Sequence, residues 1–272
     1  MMTVAKTPAL RAQPSPAVSL IARLGYATRG TIYLLVAGFA AAAALWPGHR
    51  PQSMSGAVQA VASDPLGVWL VLPIAAGLAC LAAWFAIAAV SRRDFAGPKR
   101  WLLSLGMLGD AGIYSGFVLI VLGLMVGRHG GGERDLQAWT AWLLGHPFGR
   151  WLVGGIALVV LGAGLGLIGW AVLGDPERRL EMAEDEKRLV RPFSRAGLAG
   201  RGLAVAIAGG YALAAAIDVN PREAHELGGV LTQLRGTAYG RGLMVLFALV
   251  FAASAVFDFV TALYRRVDPK RP

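Results

Sequence analysis

Six unbroken apolar stretches, at about 24–46, 66–90, 102–127, 149–173, 197–217 and 240–264, partition this chain. Each is near the ~20 residues that cross a hydrocarbon core at ~1.5 Å per residue. In lipid a backbone satisfies its own hydrogen bonds only as a helix or a closed barrel. These stretches are rich in Ala, Leu and Gly, do not alternate, and far exceed the ~9–11 residues of a membrane strand. The expected fold is all-α: a polytopic membrane protein with six transmembrane helices. Composition agrees, because 56% hydrophobic and 15% charged residues with a mean hydropathy of +0.56 exclude a soluble domain of 272 residues.

A formal charge of +10 brings nucleic acid to mind until the basic residues are assigned to sides of the bilayer. Lys6, Arg11 and Arg23, then Arg92, Arg93, Lys99 and Arg100, then six between Arg178 and Arg195, and finally Arg265, Arg266, Lys270 and Arg271 fall on one side, 17 of the 26 Lys and Arg. Seven fall on the other: Arg50, Arg128, Arg134, Arg150, Arg222, Arg235 and Arg241. The positive-inside rule then puts both termini in the cytoplasm, an N-in/C-in topology. The excess charge suits a lipid bilayer with anionic headgroups, and no nucleic-acid partner is expected. A membrane-protein partner or a homo-oligomer stays open.

The N-terminal basic residues and the run Ala40 to Ala44 look at first like a signal peptide. The apolar stretch is longer than the ~7–15 residues of a signal core, and it matches the first helix of later repeats, so it is expected to remain as the first span. Residues 1–19, with Pro8, Pro14 and Pro16, read as a disordered cytoplasmic tail. Cys80 is the single cysteine, which leaves no disulfide and no CxxC metal motif.

Repetition organises the rest. Leu24-Gly25-Tyr26-Ala27-Thr28-Arg29-Gly30-Thr31-Ile32-Tyr33 aligns without a gap with Leu105-Gly106-Met107-Leu108-Gly109-Asp110-Ala111-Gly112-Ile113-Tyr114, at an offset of 81. Gly197, Arg201 and Gly202 recur in a third copy at an offset of 172 from the first. Even-numbered spans open on Asp64-Pro65-Leu66-Gly67, His146-Pro147-Phe148-Gly149 and Thr237-Ala238-Tyr239-Gly240. Ahead of each lies a short segment with apolar residues at the spacing of an interfacial helix on the outer face, for example Leu136, Trp139, Leu143 and Leu144, or Leu227, Val230, Leu231 and Leu234. The units are repeat 1 (20–95), repeat 2 (100–175), a charged cytoplasmic linker (176–192) and repeat 3 (193–267).

On these residues the chain resembles the bacterial integral membrane proteins catalogued as domain of unknown function 1206, whose two-helix repeat occurs three times. The resemblance spans about 20 to 267 and rests on Gly25 to Gly30 with Tyr33, on Gly106 to Tyr114, on Gly197 to Gly202 and on the Pro-aromatic-Gly starts. It implies a six-helix fold in the cytoplasmic (inner) membrane of a bacterium and supplies no activity. The departure is Asp110, where the pattern has Arg.

Arg29, Asp110 and Arg201 are corresponding positions, and Asp258 is a fourth charge inside a span. An unpaired charge at a helix centre costs roughly 2.5–3.5 kcal/mol on insertion scales. All four lie in the cytoplasmic third, so Arg29 meeting Asp110 and Arg201 meeting Asp258, or the converse pairing, would cancel them. Such a cluster either locks the hairpins together or forms a polar vestibule for an ion, a proton or a small solute.

Other motifs dissolve. Gly164-Leu165-Gly166-Leu167-Ile168-Gly169 spells a dinucleotide fingerprint, but it lies within a span with no preceding strand. Gly162 with Gly166, Gly112 with Gly116 and Gly123 with Gly127 read instead as small residues at which helices approach. His49, His129, His146 and His225 lack metal-ligand spacing, and no nucleophile elbow occurs, so no catalytic residue, metal or cofactor is expected. Trp46, Trp69, Trp101, Trp139, Trp142 and Trp151 read as interface anchors. In the charged linker, Glu184 is expected to pair with Arg188 four residues on. The expected function is a non-enzymatic structural or assembly component of the envelope, the alternative a small-solute, ion or proton carrier using the charged vestibule.

Overall fold

The structure is a computed structural model, and it describes residues 16–46, 48–64, 67–91, 98–126, 133–180, 182–225, 229–232, 236–237 and 239–264. Most of the expected tail, Arg92, Arg93, Gly127, Arg128, His129, Leu227, Leu234, Arg235 and the basic residues from Arg265 onward lie outside the described residues.

Eight α-helices carry the described chain: α1 (Pro16–Leu45), α2 (Met54–Ala62), α3 (Val68–Ser91), α4 (Pro98–Met125), α5 (Glu133–Leu144), α6 (Gly149–Leu173), α7 (Glu184–Ile217) and α8 (Gly240–Tyr264). No strand occurs among the described residues. Six of the helices, all but the short α2 and α5, are long and apolar enough to cross a membrane. The architecture is that of a multi-pass membrane protein.

The short helices precede even-numbered spans and end in a recurrent turn. A Cβ on Gly67 would collide with the Val61 carbonyl, and one on Gly149 with the Leu143 carbonyl. The repeated glycine at the start of these spans is thus the residue that lets the chain fold back under the preceding helix. Ser53 caps α2, its Oγ accepting from the Gly56 amide at 3.2 Å.

The spans alternate in direction. The start of α4 meets the end of α3 where Ser104 donates to the Ala89 carbonyl at 3.1 Å, and Arg195 near the start of α7 donates to the Gly174 carbonyl after α6 at 3.4 Å. Around the bundle the packed neighbours run α4, α3, α1, α8, α7, α6. First and second helices of the repeats therefore alternate about a pseudo-three-fold axis, and each first helix packs most closely on the second helix of another repeat: α1 on α8, α4 on α3, α7 on α6. Within repeats 1 and 3 the two helices also touch, whereas α4 and α6 form no packed interface among the described residues. The ring is an arc with one open seam.

Apolar burial follows this order. Ile32, Leu78, Leu81 and Trp84 anchor a core among α1, α3 and α4, and Val36, Met244, Phe247 and Phe251 a second between α1 and α8. Close approaches come from other glycines than the spacing implied. Gly112, Gly116, Gly162 and Gly166 would meet nothing within 4 Å, while Gly164 faces Gly202 and Ala206, and Gly209 faces Leu161, across α6 and α7. Spacing on one helix does not reveal which face its neighbour takes.

The charged linker does not stay separate. A 3₁₀ turn over Pro176–Arg179 precedes α7, which runs unbroken from Glu184 into the fifth span. Glu177 is buried and accepts from Arg191 at 3.1 Å and from Ser194 at 3.2 Å, so the turn is tied back onto α7. Glu184 pairs with Lys187 at 2.8 Å rather than with Arg188, three residues being also a facing distance on a helix.

Candidate functional site

Asp258, on α8 and 0% exposed, receives two guanidinium groups. Arg29 of α1 donates from Nε to Oδ2 and from Nη2 to Oδ1, both at 2.8 Å, a two-pronged pair that matches the carboxylate geometry. Arg201 of α7 reaches Oδ2 from Nη2, also at 2.8 Å, and the same nitrogen donates to the Ser254 carbonyl at 2.9 Å. One carboxylate thereby joins α1, α7 and α8.

Aromatic residues complete the surroundings. Tyr114 of α4 accepts from Arg29 Nη1 at 3.2 Å and stacks on Phe85 with ring centroids 5.7 Å apart. The Arg29 guanidinium lies 5.0 Å from the Tyr26 ring centre and that of Arg201 4.4 Å from Tyr33, both within cation–π range. Tyr26 is held in turn through its hydroxyl, which accepts from the buried Trp84 indole at 3.3 Å. Ser254 donates to the Gly197 carbonyl at 3.0 Å, fixing α8 against α7 at the glycine of the third repeat.

Asp110 is placed differently from either pairing considered in the sequence. It forms no salt bridge among the described residues and is exposed on α4, whose main packing partner is α3 and which touches Arg29 of α1 through Tyr114. Asp258 takes both arginines because its helix is the direct neighbour of α1 and α7. Asp110 does share a space with them: a cavity of about 410 Å³ lies on the axis among the repeats, with Arg29, Arg201, Asp110, Tyr33 and Tyr114 in its wall. Phe85, Leu167, Phe257 and Trp170 supply apolar wall. Nε of Arg201 is buried and has no hydrogen-bond partner among the described residues.

The repeat-motif residues divide by role. Tyr33 and Tyr114 belong to the polar cluster, while Gly25 and Gly197 sit at helix crossings: a Cβ on either would come within 2.8 Å of the Cα of Leu81 or Ser254. A Cβ on Gly202 would crowd the Gly164 carbonyl at 2.7 Å, and one on Gly106 would meet nothing within 4 Å. Ser254 and Phe85 carry no signal in the sequence, whereas Tyr26 lies within the repeated motif, three residues before Arg29 on one helix face. The histidines are dispersed: His146 contacts the Trp142 carbonyl at 2.9 Å and His225 packs edge-on against Tyr211.

Three helical hairpins around a polar, charge-bearing cavity define an internally repeated, multi-pass helical membrane protein. The chain belongs to the family described as Domain of Unknown Function (DUF1206), whose pattern matches it three times, over residues 24–92, 105–174 and 196–265. It is 24% identical over 270 residues to a protein of Bacillus subtilis (strain 168) described as "Uncharacterized protein YxxB", with 95% of each chain covered. No solved structure matches.

Proposed function

We propose that this protein is a non-enzymatic carrier of the cytoplasmic membrane, with both termini on the cytoplasmic side, and that its central cavity takes up a small polar solute or ion. The cavity carries the reading. Helix interiors are normally close-packed, yet about 410 Å³ stays open on the repeat axis, within the ~300–1,000 Å³ of ligand pockets. In its wall, Asp110 forms no salt bridge among the described residues and Arg201 contributes a positive charge. A solute offering an acceptor to Arg201 and a donor or positive charge to Asp110 fits this pair.

The test is flux across vesicles reconstituted with the purified protein, read as proton movement by an entrapped pH dye and as uptake of a labelled zwitterion such as glycine. Flux above protein-free vesicles, lost in Asp110→Asn while thermal stability holds, is the expected result. Absence of flux for both probes, or flux unchanged by Asp110→Asn, counts against the carrier.

A structural or assembly role in the envelope is the second reading. It is favoured by the saturation of Arg29, whose three nitrogens are all engaged, as expected of a lock between helices. A stoichiometric partner retained through mild-detergent purification from native membranes supports it, and repeated isolation of the lone chain opposes it.

A further inference from the structure

The three hairpins differ in one respect. Corresponding second-helix positions follow offsets of 82 and 173 from repeat 1, so Leu81, Ala163 and Ser254 are equivalent, as are Gly77, Val159 and Val250. In repeat 1, Gly25 of α1 lies against Leu81 of α3, and Thr28 touches the site of a Cβ on Gly77. In repeat 3, Gly197 of α7 lies against Ser254 of α8, and Val250 occupies the space beside Gly200. Each crossing uses the same two steps, with a glycine in each to admit the opposite helix.

Repeat 2 has the same parts and does not bring them together. Gly106 and Gly109 of α4 correspond to Gly25 and Thr28 in repeat 1 and to Gly197 and Gly200 in repeat 3, yet a Cβ on either would meet nothing within 4 Å. Their expected partners on α6 are just as free: Val159 is 72% exposed and Ala163 is exposed, whereas Leu81 is fully buried. Gly109 with Val159 would reproduce the Gly200 and Val250 pairing of repeat 3, a glycine opposite a valine.

We infer that the second hairpin has a closed state, in which Gly106 and Gly109 of α4 seat against Ala163 and Val159 of α6, completing the ring and sealing the central cavity from the bilayer. A second observation supports the same movement. Two arginines share one aspartate in the open arc, while Asp110 of α4 faces the same cavity beside Arg29 and forms no salt bridge with Arg201. Closure carries α4 toward α6 and α7 and so brings Asp110 toward Arg201, lowering the cost of holding the two charges at membrane depth. The hairpin that differs in charge is the one that differs in packing. The inference concerns helix separation and does not depend on what the cavity holds.

Paired cysteines in a Cys80→Ala background test it in native membranes. Gly109→Cys with Val159→Cys is oxidised beside its packed counterpart, Gly200→Cys with Val250→Cys. A disulfide needs Cα atoms within ~4.4–6.8 Å, and in the open arc a Cβ on Gly109 meets nothing within 4 Å. The expected outcome is an intramolecular cross-link at the seam in a yield like that of the packed pair, lost when Gly106→Leu is added and reduced by Asp110→Asn. A packed pair that links while the seam pair does not overturns the inference. So does a seam product that runs as a dimer, which makes the seam an interface between copies. Spin labels at Leu108 and Leu158, both lipid-exposed and outside the seam pairs, give a second reading that leaves the glycines intact. Two distance populations are expected, and a single population at the wide separation overturns the closed state.

Discussion

With its carboxylate wholly buried between two guanidinium groups, Asp258 is the residue whose loss leaves the most charge uncompensated. Asp258→Asn keeps the shape and removes the charge, so Arg29 and Arg201 face each other at membrane depth. Breaking a buried pair by removing one partner costs roughly 3–5 kcal/mol. Tyr114→Phe removes only the hydroxyl that Arg29 Nη1 reaches and retains the stack on Phe85, so about 1 kcal/mol is lost. Thermal unfolding in detergent should rank the two clearly, and equal losses would mean that Asp258 does not hold the cluster. The residue types were legible beforehand, since Arg29, Arg201, Asp110 and Asp258 are charges inside apolar runs. Their pairing was legible only in part: Arg201 with Asp258 and Arg29 with Asp258 each belong to one of the two expected pairings, but depth along a helix does not say that both form at once. Asp110 shares the depth but forms no salt bridge with either arginine, and it is Tyr114, one turn further along the same helix, that reaches Arg29.

Among the elements, the spans were readable because a run of some twenty apolar residues has one solution in lipid, and the repeat supplied the hairpins. Helix order around the axis was hidden, since it depends on inter-repeat contacts that leave no periodic mark in one helix. Gly25, Gly106 and Gly197 illustrate the limit: three aligned glycines, of which two admit a neighbouring helix and one faces open space. The contrast gives a direct prediction. Gly25→Leu and Gly197→Leu force α3 and α8 away and should each cost about 1–3 kcal/mol, the usual price of overpacking. Gly106→Leu should leave stability within about 0.5 kcal/mol, as for a surface substitution, while blocking closure of the seam. Thermal unfolding of the three variants side by side checks this, and a Gly106→Leu loss as large as the others would show that α4 and α6 are packed in the resting protein.

At the scale of the whole molecule, three hairpins in the same orientation make a ring about an axis along the membrane normal, not the inverted two-fold of many carriers. Exchange of inverted, two-fold-related halves is therefore not available as a means of switching access, and among the described residues the unpacked seam between α4 and α6 is where the arc can move. The sidedness of that movement rests on topology. The described basic residues favour one end of the bundle: Arg23, Lys99, Arg100, Arg178, Arg179, Lys187, Arg188, Arg191 and Arg195 share it with the polar cluster, while Arg50, Arg134, Arg150, Arg222 and Arg241 lie at the other. If this basic end is cytoplasmic, as proposed from the charge bias, the cavity's charges lie nearer the cytoplasm and its seam opens to the inner half of the bilayer. Single cysteines in the Cys80→Ala background decide the point, with a thiol reagent that does not cross the membrane. Arg222→Cys, on an exposed 3₁₀ turn, should be labelled in spheroplasts, and Glu186→Cys, in the exposed first turn of α7, only after permeabilisation. The reverse pattern would turn the protein over, and the same cluster would then face a solute arriving from outside.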